Sequence, residues 1–169
     1  MAAALPTTWL VHAGAFAPAF WVFAIAGASD AVDGFIAKRF GRRTTFGTWL
    51  DPLADKVLLT GVYVGLTTAG LLPGWLLALV LTRDLGLVVG ALALARAGAG
   101  DRVRPSLLGK LNTVAQVALA AAVLAQAAGL AELAEPARVL VWTVAVTTLA
   151  SALGYALGLR RPDQPGVTA

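Results

Sequence analysis

Long apolar stretches alternate with short polar ones along this chain, and the alternation repeats five times. The apolar stretches run from about Ala13 to Lys38, Phe46 to Gly70, Pro73 to Ala95, Leu107 to Ala131 and Ala137 to Leu159. Each reaches or approaches the roughly 20 residues that an α-helix needs to cross a bilayer. Connections such as GLLPG (70–74) and AELAEP (131–136) are short, so neighbouring helices should run antiparallel. The pattern predicts an all-α fold, a polytopic membrane helical bundle of about five transmembrane helices. One domain is expected over residues 1–161, followed by a flexible polar tail at 162–169.

Composition agrees with a membrane chain. Apolar residues make up 59% and charged residues only 13%, about half the share usual in soluble domains. No cysteine is present, which excludes disulfides, thiolate chemistry and cysteine-bound zinc or iron–sulfur sites. The net charge of +4 does not call for nucleic acid, because surplus Lys and Arg in a membrane chain mark cytoplasmic loops and anionic headgroups.

Charge placement predicts the orientation. Lys38, Arg39, Arg42 and Arg43 fall on one side, with Arg96, Arg102, Arg104, Lys110, Arg160 and Arg161, whereas the opposite side holds only Arg138. The positive-inside rule makes the first side cytoplasmic, and with it the C-terminus. The opening MAAALPTTWLVHAGAF lacks the basic start of a signal peptide and reads as the end of a connection. An upstream helix is therefore expected to precede it and complete a six-helix fold; the alternative is a five-helix form. The spacings Gly61/Gly65, Gly86/Gly90 and Gly154/Gly158 predict close helix packing.

The acidic residues are out of place in this pattern. Asp30, Asp33, Asp51 and Asp55 lie within 26 positions, inside or beside apolar spans, where an uncompensated carboxylate costs at least about 2.5 kcal/mol. Asp30, Asp33, Gly34 and Ala37 share one stripe of a helix, and Gly47, Asp51 and Asp55 share one stripe of the next. Carboxylates without Cys or His select hard cations such as magnesium, manganese or calcium. Two such ions roughly 3.5–4 Å apart would suit displacement at a phosphoryl group. Gly34 and Gly47 leave room for a bulky ligand, and Lys38, Arg39, Arg42 and Arg43 are candidates to contact a diphosphate. For Arg42 and Arg43 a lipid-facing basic collar is the competing reading.

Asp30-x-x-Asp33-Gly34-x-x-Ala37-Lys38, eight residues, then Gly47-x-x-x-Asp51-x-x-x-Asp55 resembles the signature of the CDP-alcohol phosphatidyltransferases in every spacing. It departs only at Lys38, where the family usually has Arg. The resemblance implies that Asp30, Asp33, Asp51 and Asp55 bind divalent metal, magnesium or manganese and two ions, and that Asp55 is the catalytic base. It also implies that Asp30, Gly34, Ala37, Lys38 and Gly47 hold the CDP moiety of CDP-diacylglycerol, and that CMP is released. Beyond the motif, LDPLADKVLLTG, LPGWLLALVLTRDLGLVVG and RPSLLGKLNTVAQVALAA are most similar to the cardiolipin synthases of this family, whose acceptor is phosphatidylglycerol. Synthases of phosphatidylglycerophosphate, which use glycerol 3-phosphate, are the runner-up; they tend to carry Arg-Glu where this chain has Arg83-Asp84. A homodimer is implied as common in the family.

Arg83 and Lys110 are candidates to grip the acceptor's phosphate. Their alternatives are an intramembrane ion pair with Asp84 and a snorkelling anchor, respectively. Lys56 is expected to balance the acidic cluster or donate to it. His12 has no obvious partner, Pro52 should loosen its helix, and Trp21, Trp49, Trp75 and Trp142 read as packing or interfacial residues. A divalent-cation transporter is the alternative from another functional class. It would need acidic residues across the whole bilayer, and the last two spans have none.

Overall fold

In the computed structural model, the backbone is described for residues 4–40, 47–96 and 107–159, and side chains within these segments except at 4–5, 30–40, 47–55, 94–95 and 157–159. Six helices account for nearly all of it: α1 (Ala4–His12), α2 (Phe16–Phe40), α3 (Gly47–Thr68), α4 (Gly74–Arg96), α5 (Leu107–Ala127) and α6 (Ala134–Leu159). The five long helices match the five apolar stretches, because a chain in lipid must satisfy its own backbone polar groups and a helix does so within one segment. α3 continues through Pro52. The expected tail at 162–169 and the basic residues Arg42, Arg43, Arg102 and Arg104 lie outside the described residues.

Three helices end by the same device. Gly14, Gly70 and Gly129 take φ of 72°, 75° and 68°, which lets the following amide reach back across the last turn. Ala15 N–H donates to Leu10, Leu71 to Leu66 and Leu130 to Ala125, at 2.9, 2.9 and 3.0 Å. This is the six-residue closure that an αL glycine permits.

Side-chain contacts give the relative directions of the helices. Trp75 meets Trp142 and Arg83 meets Ser151, so α4 and α6 run parallel. Asn112 bonds Thr147 and Thr148, while position 154 faces Leu108, so α5 and α6 run antiparallel. The short turns reverse α3 into α4 and α1 into α2. The direction therefore alternates at each successive helix. The C-terminal ends of α2, α4 and α6 gather with the N-terminal ends of α3 and α5 at one end of the bundle. Both acidic pairs belong to helix segments toward that end.

The opening stretch corrects the sequence expectation. Residues 4–12 are a helix, not the end of a connection, and α1 packs on both α2 and α3. Its Thr7 and Val11 are fully buried. The contact depends on Gly61 and Gly65, whose missing side chains admit Thr8 and Val11: a Cβ on Gly61 would collide with Thr8 Oγ1, and one on Gly65 would lie 2.6 Å from Val11 Cγ1. Gly90 is similarly covered by Tyr155, but Gly86 faces open space. Close packing thus holds at the first glycine pair and at only one member of the second.

The core runs through all six helices and includes Phe23, Tyr63, Leu66, Leu76, Leu119, Leu124 and Val144. The outside is no less apolar. Leu85, Val88, Val89 and Leu92 on α4 and Val139, Trp142, Val146, Leu149 and Leu153 on α6 are exposed, a surface too large and continuous for a water-facing domain. Among the described residues α4, α5 and α6 are each long and apolar enough to cross a membrane. The described apolar parts of α2 and α3, Phe16–Ser29 and Lys56–Thr68, continue into the acidic segments.

Glycine packing yields a paired expectation. Gly65→Ala should lower stability by about 1–3 kcal/mol, since the branched Val11 has little freedom to move aside. Gly86→Ala should be neutral or stabilising, because alanine favours helix and meets nothing. Thermal unfolding of the two variants in detergent checks the contrast; equal melting temperatures would contradict the α1–α3 contact.

Candidate active site

Ion pairs and a hydrogen bond in the apolar interior link three helices. Asp84, midway along α4, accepts from Lys56 Nζ of α3 at 2.7 Å and from Arg83 Nη1 at 2.9 Å. Arg83 Nη2 donates to Ser151 Oγ of α6 at 2.6 Å. The Arg83 and Asp84 side chains are only 7% and 11% exposed, whereas Lys56 is 37% exposed. One carboxylate facing two cations leaves this cluster with a surplus positive charge.

Of the candidate acceptor residues, Arg83 is thus engaged with Asp84 and Ser151, with its Nε buried and without a partner among the described residues. Lys110 lies exposed in the first turn of α5. Lys56 pairs with Asp84, an acidic residue outside the four-aspartate motif. His12 is exposed at the end of α1.

A second set of polar groups lies on α5. Asn112 Oδ1 accepts from Thr147 and Thr148, both at 2.9 Å, and the Gln116 carbonyl accepts from the Tyr63 hydroxyl at 3.1 Å. These bonds fix α5 against α6 and α3. Two amide donors remain, Asn112 Nδ2 and Gln116 Nε2, buried and without partners among the described residues. An orphaned buried donor costs about 1–3 kcal/mol. The sequence reading passed over Asn112, Gln116, Tyr63 and Ser151. The signal for the first two was present: two amide side chains at i and i+4 in an apolar span, which hydrocarbon tolerates only with partners.

A cavity of about 420 Å³ opens between α2, α3, α4 and α5. Its walls are mainly apolar, including Phe23, Leu59, Leu77, Val80 and Val117, and its polar groups come from Lys56, Thr60, Tyr63, Asp84, Thr113 and Gln116. The volume lies in the range of small-molecule sites. Gly27 borders it on α2, and no atom comes within 4 Å of where its side chain would start. Gly27 precedes Asp30 by one turn and Lys56 directly follows Asp55, so the cavity adjoins both halves of the acidic motif along the chain.

Asp30, Gly34, Ala37, Lys38 and Asp33 belong to the helical backbone of α2, and Gly47, Asp51 and Asp55 to that of α3. The side chains at these positions lie outside the described residues. Continuous helix preserves the three- and four-residue spacings that align each set on one side. The donor chemistry, carboxylate oxygen alone, fits a hard divalent cation.

Removing Asp84 should separate stability from charge count. Asp84→Ala leaves Arg83 buried with Ser151 as its only partner among the described residues and should cost about 3–5 kcal/mol. Lys56→Met leaves the Arg83–Asp84 pair intact and should cost much less. Melting temperatures in detergent should therefore rank wild type, Lys56→Met and Asp84→Ala in descending order.

The model of the family described as CDP-alcohol phosphatidyltransferase matches residues 1–152. The chain is 38% identical to the chloroplastic CDP-diacylglycerol–glycerol-3-phosphate 3-phosphatidyltransferase 1 of Oryza sativa subsp. japonica over 171 residues, covering 90% of this chain and 52% of that protein. It is 38% identical to the CDP-diacylglycerol–glycerol-3-phosphate 3-phosphatidyltransferase of Bacillus subtilis over 103 residues, 61% of this chain and 52% of that protein. It is likewise 38% identical to the human cardiolipin synthase (CMP-forming) over 123 residues, 63% of this chain and 41% of that protein. The chain spans about half the length of these curated relatives. With a family match over nine-tenths of its length and a helical bundle that carries the motif on two successive helices, the chain belongs to the CDP-alcohol phosphatidyltransferase family.

Proposed function

We propose that this protein transfers a phosphatidyl group from CDP-diacylglycerol to an alcohol and releases CMP. The feature that supports the reading is the bundle end shared by the C-terminal part of α2 and the N-terminal part of α3, each carrying one half of the motif, with an apolar cavity bordered by Gly27 and Lys56 adjoining both halves along the chain. A nucleotide diphosphate esterified to hydrocarbon needs both features, an acidic polar end and an oily extension.

In this reading Asp30, Asp33, Asp51 and Asp55 hold divalent cation, magnesium or manganese. When bound, it neutralises the diphosphate and stabilises the charge that develops on the leaving phosphate. Gly34, Ala37 and Gly47 leave space for the cytidine and diphosphate, and Lys38 adds a positive charge beside them. Asp55 takes the proton from the acceptor hydroxyl. The acceptor oxygen bonds to the phosphorus that carries diacylglycerol, the bond from that phosphorus to the bridging oxygen breaks, and CMP departs with the electron pair. Lys56, tied to Asp84, limits the negative charge around Asp55.

Phosphatidylglycerol is the proposed acceptor, giving cardiolipin. The Arg83-Asp84 pair and the run RPSLLGKLNTVAQVALAA (104–121) support it. Glycerol 3-phosphate is the second reading, favoured by the broad coverage of the rice relative. Arg83 and Lys110 would grip the acceptor's phosphate in either case. Lys38, Arg39, Arg96 and Lys110 lie in helix segments toward the motif end of the bundle, so the positive-inside rule turns the site to the cytoplasm.

Purified protein offered CDP-diacylglycerol, magnesium or manganese, and phosphatidylglycerol should release CMP and form cardiolipin. Asp55→Asn should lower the rate about 10²–10⁴-fold, and chelation should abolish it. CMP release only with glycerol 3-phosphate would transfer the assignment to the second reading. Divalent-ion flux into protein-containing vesicles without CMP release would favour transport instead.

A further inference from the structure

The cavity between α2, α3, α4 and α5 holds a feature that catalysis at the acidic motif does not use. Gln116 is 3% exposed, lines the cavity, and has a side-chain Nε2 with no hydrogen-bond partner among the described residues. Its position is set by the hydroxyl of Tyr63, another residue of the cavity wall, which donates to its backbone carbonyl. Tyr63 is seven residues past Lys56 on α3, about 10 Å deeper along the helix. The cavity therefore begins at a cation next to the motif, and further in, between apolar walls, it is lined by Gln116, whose buried amide donor is unused among the described residues.

An N–H₂ group so placed requires an acceptor. The surrounding Phe23, Leu59, Val80 and Val117 require that the acceptor be carried on hydrocarbon. An ester carbonyl of a glycerolipid meets both demands: it accepts without donating, and it stands between a headgroup phosphate and an acyl chain. An ether-linked chain has nearly the same shape and hydrophobicity but lacks that carbonyl.

We propose that Gln116 Nε2 donates to an acyl ester carbonyl of the CDP-lipid donor, making Gln116 a specificity-determining residue for ester-linked over ether-linked lipid. The assignment rests on the phosphatidyl-transfer reading for the identity of the headgroup. Gln116 touches the donor's glycerol region and takes no part in proton or phosphoryl transfer.

The test compares CDP-dioleoylglycerol with its dialkyl ether analogue on purified full-length protein in detergent. Affinity is read from the lipid concentration giving half of the maximal thermal stabilisation, and KM and kcat from CMP release. Wild type should bind the diacyl lipid roughly 3- to 10-fold more tightly than the ether lipid, the effect of one buried neutral hydrogen bond. Gln116→Leu should bind both with the affinity wild type shows for the ether lipid, raising KM for the diacyl donor more than it lowers kcat. Gln116→Met keeps the length without the donor and should behave the same way, which covers a folding failure of the leucine variant. Equal affinities in wild type, no stabilisation by either lipid, or a diacyl preference retained in both variants would overturn the proposal. A diacyl preference without CMP release would leave this assignment standing and sink the catalytic reading; CMP release without any preference would do the reverse.

Discussion

Placing Asp84 at the middle of an apolar helix is costly unless cations meet it there, and the arrangement of three helices satisfies that requirement. Lys56 approaches from α3 and Arg83 from the preceding position on α4, while Ser151 on α6 takes the remaining reach of Arg83. These contacts bring the middles of α3 and α4 to the level of Ser151, in the C-terminal half of α6. Hydrocarbon outside the bundle supplies no alternative partners, so sliding one helix against another by a turn would break them together. The network also keeps a surplus positive charge one residue from Asp55, where the acidic motif would otherwise concentrate negative charge.

Away from this network the bundle is held by close approach and by small polar contacts. α1 is the clearest case: nine residues are too few to cross a bilayer, yet the helix is locked in place where Thr8 and Val11 occupy the surface left by Gly61 and Gly65. α5 and α6 form the most extensive pairing, with Asn112 accepting from two adjacent threonines. Such interhelical hydrogen bonds are individually modest, of the order of 1 kcal/mol, but each sets register. Two amide donors on α5, Asn112 Nδ2 and Gln116 Nε2, are left over among the described residues, and of the two residues only Gln116 lines the cavity.

The three glycine pairs show where sequence reasoning reaches its limit. All share the same four-residue spacing, yet Gly61 and Gly65 are packed, Gly90 is covered by Tyr155, and Gly86 faces open space. Spacing places two glycines on one helical face, but which face meets a neighbour depends on how the other helices pack. The opening stretch carried the opposite difficulty. Residues 4–12 are too short and too polar at Thr7 and Thr8 to read as a span, and their helix is stabilised by burial against residues some 50 positions away.

What the sequence by itself determined is the five long helices, the short turns that reverse them, and the acidic motif with its spacing, since hydrophobic length, glycine punctuation and helical period are local properties. The family could be read for the same reason: its signature lies on two successive helices and needs no long-range contact to be seen. Only the tertiary structure decided that Lys56 pairs with Asp84, that Arg83 reaches Ser151, and that Gln116 borders a cavity. Those partners are 28, 68 and, for Tyr63 with Gln116, 53 positions apart. In an apolar bundle a polar side chain acquires its role from whichever helix comes to rest against it, and that choice is made by packing.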